Sequence, residues 1–286
     1  AGTLNIVYTL PTGCLTTTAF TVNQTPSVPA GPSTVCVGSS ITLTSAPGGG
    51  TWSSSNSAQA TVGASTGLVN GLSAGTPTIT YAMATGCFNN LTITVNNLPA
   101  AISGPATVCT GTSVTLSSAT PGGTWSSSTG AATVGATTGI VNGITPGTTT
   151  ITYTLPTGCF TTWAMTVNAT PTSISGTLSV CTGFTTTLTP APVGGTWTSS
   201  NIAEATVGSS TGVVTGITAG MPVMTYTVAS GCFITAVVTV NQTPVATTGS
   251  NQVCVGFTTT LSDATAGGTW TSSNTALATV GSSTGI

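Results

Sequence analysis

The chain has 286 residues, no Lys, Arg or His, and two acids, for a formal net charge of −2. Without cations nothing neutralises a phosphate backbone, which argues against nucleic-acid binding, and a phosphate-cradling loop has no Lys to complete it. Without His there is no side chain that titrates near neutrality and no imidazole ligand, and Glu204 and Asp263 are too few for a calcium cage.

Catalysis is poorly supplied as well. A nucleophilic Ser needs an activating base, and paired-carboxylate glycosidase chemistry needs two neighbouring acids. Glu204 and Asp263 fall in different repeats and read as solvated surface side chains. No enzyme activity, cofactor or metal is expected. No apolar run approaches the ~18 residues that span a bilayer, so membrane insertion is not expected. Disordered chains combine low hydrophobicity with high charge; this one is 39% hydrophobic. Near-zero charge leaves copies of the chain without mutual repulsion and permits self-association.

In chain order, the first segment alternates apolar residues at Ile6, Tyr8 and Leu10, turns at Pro11-Thr12-Gly13-Cys14, and alternates again at Phe20 and Val22, a β-hairpin signature. A Pro-bearing joint follows at Asn23-Gln24-Thr25-Pro26; proline resists continuing a central strand, so this is a module boundary. Next come Val35-Cys36-Val37-Gly38 and Ile41-Thr42-Leu43, two strands around a Gly turn. The strand Gly49-Gly50-Thr51-Trp52 follows, then short strands at Ala60–Val62 and Leu68–Asn70. A second hairpin, with Ile79 and Tyr81 on one arm, Cys87 at the turn and Ile93 and Val95 on the other, closes the unit.

The whole unit then repeats. Trp52, Trp125, Trp197 and Trp270 recur at intervals of 73, 72 and 73 residues. Tyr81, Tyr153 and Tyr226 recur with the hairpins, and Cys36, Cys109, Cys181 and Cys254 with the first strands. No helical period appears. About seven short strands per unit with regular turn signals predicts an all-β chain of small sandwiches placed end to end. The divisions are 1–23, the closing hairpin of a partial module; 24–96, 97–168 and 169–241, complete modules; and 242–286, the opening strands of a partial module. Trp52, Trp125, Trp197 and Trp270 are expected in the cores with Tyr81, Tyr153 and Tyr226. The competing reading makes the tryptophans a platform for sugars, with surface glycans as partners.

The combination Val-Cys-x-Gly, Gly-Gly-Thr-Trp, Ala-Thr-Val, Gly-x-Val-x-Gly, Ile-Thr-Tyr and Gly-Cys resembles bacterial immunoglobulin-like repeats, of the kind found in secreted and surface proteins of Bacteroidetes. The resemblance covers the whole chain. It implies immunoglobulin-like sandwiches, an extracellular or cell-surface location, and a spacer, adhesive or fibre-forming role, with no catalytic residues.

Eight cysteines, two per repeat, suit an oxidising compartment. In an immunoglobulin-like sandwich Cys36 and Cys87 belong at opposite ends of one module, too far apart for a bridge. The pairing that this topology favours joins successive modules: Cys36–Cys159 and Cys109–Cys232, with Cys14, Cys87, Cys181 and Cys254 pairing beyond this stretch. Pairing inside a module, Cys36 with Cys87, is the alternative. With inter-module staples the string becomes a stiff rod. The hairpin 1–23 and the strands 242–286 look like two halves of one module. Either the sequence is a window of a longer tandem array, or the hairpin of one chain completes the sandwich of the next. The expected function is a self-associating structural filament; an adhesin stalk and a carbohydrate-binding array are the alternatives.

Overall fold

A computed structural model describes residues 1–286. Strands and turns make up the chain, and no helix is long and apolar enough to cross a membrane. Two compact units divide it, Ala1–Asn168 and Ala169–Ile286.

The first unit opens with a hairpin of β1 (Gly2–Thr9) and β2 (Leu15–Val22), paired from Gly2 with Val22 to Thr9 with Leu15. The first complete module holds β3 (Thr34–Cys36), β4 (Ser40–Thr42), β5 (Thr51–Ser54), β6 (Ala60–Val62), β7 (Leu68–Gly71), β8 (Thr78–Ala82), β9 (Phe88–Thr92) and β10 (Thr94–Asn96). One sheet runs β4-β7-β6 and the facing one β5-β8-β9, and β10 pairs in parallel with β3. The next module repeats this layout, with Thr107–Cys109, Phe160–Asn168, Gly147–Thr154 and Thr124–Ser127 joined in one four-stranded sheet.

The difference between the two modules has a local cause. The strand Gly147–Thr154 pairs without interruption because Thr149 can donate to the ladder; its bond partner strand keeps Thr149 opposite Met165. The equivalent residue in the first module is Pro77, which has no N–H. Pairing of β8 with β9 stops at Thr78 with Thr92, and the last strand resumes as β10 beyond Ile93. Pro222 does the same in the third module, where Val223–Thr227 pairs with Phe233–Val237 and Thr239–Asn241 is separate.

Each complete module closes over its own core. In the first, Val35, Leu43, Trp52, Val69, Ile79, Tyr81, Ile93 and Val95 are buried together. Full burial of such side chains stabilises by roughly 1.5–3 kcal/mol each before entropy is counted. Trp125 with Tyr153, and Trp197 with Tyr226, occupy the same places in the second and third modules. The repeated Gly-Gly before each Trp follows from this core. A Cβ at Gly50 would lie 2.6 Å from the Tyr81 Cζ, so only glycine lets the ring lie against the backbone. The Gly50 N–H instead donates to Tyr81 Oη at 2.8 Å, and that hydroxyl donates to the Pro47 carbonyl at 3.0 Å.

Segment 242–286 departs from the expectation that Trp270 is a core residue. It retains Thr248–Gly249 paired with Leu261–Ser262, and Trp270 N–H still donates to the Ser282 carbonyl at 2.9 Å. Trp270 itself is only half-buried. Trp52, Trp125 and Trp197 are each covered by a hairpin tyrosine, and no such tyrosine stands over Trp270.

Candidate functional site: module joints and open faces

The repeated tryptophans offer no sugar platform in the complete modules. Trp52, Trp125 and Trp197 are buried, with ring centroids 4.6, 4.6 and 5.0 Å from those of Tyr81, Tyr153 and Tyr226. A surface hollow of about 550 Å³ is an open groove lined by hydroxyl-bearing residues such as Thr107, Ser128, Thr149 and Thr150. Its buried hydroxyl is already engaged: Thr149 Oγ1 lies 2.8 Å from Ser127 Oγ.

The two acids are partly exposed, and each lies against a turn. Glu204 is half-buried, and its side chain lies over Gly220, where a Cβ would collide with it. Gln59 lies over Gly75 in the same way. Asp263 Oδ1 accepts the Thr265 N–H at 2.6 Å, a local turn bond. Asp263 braces its own turn, while Glu204 packs on a turn distant in sequence, as Gln59 does at the corresponding place.

The joint between the first two complete modules carries the covalent feature. Cys36 ends β3, and Cys159 follows the hairpin turn Leu155–Cys159 of the next module, where Leu155 N–H donates to the Cys159 carbonyl at 2.8 Å. A disulfide joins them across 123 residues, with Cα atoms 5.7 Å apart. Cys159 is fully buried, and its Sγ lies 3.9 Å from the carbonyl oxygen of Asn96, the last residue of the first module. The bridge therefore ties module 24–96 to module 97–168. Cys87 is a free thiol, as are Cys14, Cys181 and Cys254, while Cys109 and Cys232 are disulfide-bonded.

The remaining unusual surface is apolar. Both faces of the hairpin β1–β2 are exposed. Ile6 is 54%, Tyr8 68%, Phe20 54% and Val22 47% exposed, whereas their counterparts Ile79, Tyr81, Ile93 and Val95 are core residues. Val253 is 49% exposed, whereas Val35, Val108 and Val180 are buried.

Residues 16–95 match the family model of the bacterial Ig-like domain, group 2. The match takes in β2, the first joint and the first complete module. With the paired sheets described above, the chain is a tandem array of immunoglobulin-like β-sandwiches. Among solved structures, it is similar to domains 1–6 of the surface layer protein SbsC, at 17% identity over 87% of this chain and 46% of that one, TM-score 0.24. It is also similar to the C-terminal 282-residue fragment of intimin, solved with the intimin-binding domain of its translocated receptor, at 16% identity over 51% of this chain and 66% of that one, TM-score 0.35. Drosophila N-cadherin EC1–4 is a third, at 12% identity over 84% and 82%, TM-score 0.24. The chain thus spans less than two thirds of the first two. No characterised protein matches it in sequence.

Proposed function

We propose that the chain is a non-catalytic structural protein of the cell surface or extracellular space, whose tandem modules build a filament by association with further copies of the chain. The observation that carries this reading is the Cys36–Cys159 bridge, which joins two modules instead of closing one. A bridge at that place limits motion between neighbours that already have separate cores, a property of use to a load-bearing string and of none to a catalyst. Disulfides of this kind persist in oxidising, extracytoplasmic surroundings. The same staple one repeat further on, Cys109 with Cys232, is part of the proposal, since these residues stand where Cys36 and Cys159 stand. Low charge is consistent with self-association.

The test is direct imaging of the purified, oxidised chain by negative-stain electron microscopy. Long threads with a regular axial repeat are expected. Single short particles at every concentration would overturn the filament reading and favour the stalk of a larger adhesin.

A further inference from the structure

We infer that the Cys36–Cys159 bridge makes a covalent spine that carries tension past the cores of both modules it joins. Pulled along its length, the chain is loaded through residues 24–36 and 159–168, and the residues between, 37–158, stay out of the load. This rests on the reading of the chain as load-bearing, and names the strands that bear the load.

The two points where the modules are attached lie side by side. β3 and β10 run parallel, and Cys36 pairs with Asn96. Module 97–168 is therefore held at two neighbouring strand ends, by the peptide bond after Asn96 and by the bridge at Cys36. Val37 N–H donates to the Asn96 carbonyl at 2.9 Å across that pair. The second module repeats the arrangement. Thr107–Cys109 runs parallel with Phe160–Asn168, Cys109 pairs with Asn168, and Thr110 N–H donates to the Asn168 carbonyl at 2.9 Å.

Without the bridge, tension reaches the first module on the N-terminal side of β3 and leaves at Asn96. It drags two parallel strands in opposite directions and shears a ladder of three residue pairs. The second module is loaded in the same way, through Thr107–Cys109 on one side and Asn168 on the other. Slippage of either ladder pulls core residues apart, because the paired residues Val35 and Val95, and Val108 and Val167, are buried. Loss of a paired strand and its buried side chains opens the rest of the module.

With the bridge, the direction of the load changes. Tension enters β3 at Thr34 and leaves its other end through the Cys36 sulfur. In the next module it enters at Cys159 and leaves at Asn168, along the strand Phe160–Asn168. Each module is then loaded along one strand from both ends, and not across a pair of strands. A strand already rises about 3.3 Å per residue, close to the limit of about 3.6 Å for a stretched chain, so it has little length to give. The loaded strand of the second module is also held on both sides, by Gly147–Thr154 and by Thr107–Cys109. The bridge spans 123 residues of sequence, so an intact bridge withholds roughly 400–440 Å of chain from extension.

The test is single-molecule pulling on the full chain, with handles clicked to azide-bearing residues placed at exposed Gln24 and exposed Ala169. The parent is expected to reach full stretch at about 80–90 Å, the length of its two short segments and the bridge. Cys36→Ser with Cys159→Ser is expected to reach about 480–520 Å, about sixfold more. At the loads that open modules in this variant, the parent retraces its own stretching curve on relaxation. Each module keeps its own core in the variant. Should the variant fail to fold, the parent decides alone, by its full length and by whether its curves retrace. A parent that stretches as far as the variant overturns the inference, because the bridge is then not in the load path. A parent whose stretching and relaxation curves separate at or below the loads that open the variant also overturns it, because its strands then peel from the cores. Single chains are pulled, so the result is separate from filament formation. Threads built of chains that stretch as far as the variant would sink the spine and leave the filament standing; a short, retracing tether from a chain that never forms threads would do the reverse.

Discussion

Trp52 and Tyr81 face each other on paired strands with ring centroids 4.6 Å apart, and the Tyr81 hydroxyl accepts from Gly50 N–H while donating to the Pro47 carbonyl. One tyrosine thus fastens the closing hairpin to the central strand and to the turn that precedes it. Tyr81→Phe keeps the ring and leaves a part-buried N–H without its acceptor, which costs about 1–2 kcal/mol. Hydrogen exchange of peptides from module 24–96 should accelerate accordingly, while module 97–168 stays protected. Equal protection in parent and variant would show that the hydroxyl is not a fastener.

Gly67 has φ +68°, and a Cβ there would press on the Leu43 carbonyl oxygen and stand 3.1 Å from Trp52 Cε2. Gly67→Ala meets both a strained backbone and a filled core, so it destabilises the module by more than about 1 kcal/mol. Urea unfolding followed by exchange at Val69 checks this, and an unchanged midpoint for that amide would contradict it.

Glu204→Gln should be nearly silent. Gln59 already occupies the corresponding position over Gly75, so the amide fits the same turn. A change within about 0.5 kcal/mol is expected in denaturant melts. A larger loss would mean that the charge of Glu204, and not its bulk, is what the turn uses.

Cys36→Ser with Cys159→Ser removes the staple but touches neither core. Exchange at Val69 and Val141, both fully buried in separate clusters, should stay slow. Amides at the joint, such as Val37, which donates to Asn96, should exchange faster. Simultaneous loss of both cores would mean that the modules do not stand alone.

Much of this was legible in the sequence because the signals are local and repeated. Alternation around Ile79-Tyr81 and a Gly turn at Gly86 are enough for a hairpin, and recurrence of Trp52 at Trp125 and Trp197 gives the module length. The parallel pairing of β3 with β10 was not legible, since nothing near Val35 announces a partner sixty residues away at Val95. The interruption at Ile93 had a visible cause in Pro77, but its effect depends on which residue faces it across the ladder. Trp270 reads like its three counterparts because its neighbours in sequence are the same, whereas the burial of Trp52, Trp125 and Trp197 comes from the tyrosine paired with each. The contact of Glu204 with Gly220 is not legible for a related reason, since only the fold brings the two together.

Disulfide staples between modules are tested most directly by disulfide mapping. With no Lys or Arg the chain gives trypsin nothing to cut, so pepsin at acid pH is the tool, where scarce thiolate keeps exchange between bridges slow. Linked peptides holding Cys36 with Cys159 and Cys109 with Cys232 are expected. A linked peptide holding Cys36 with Cys87 would place the bridges inside modules and contradict the staples between them.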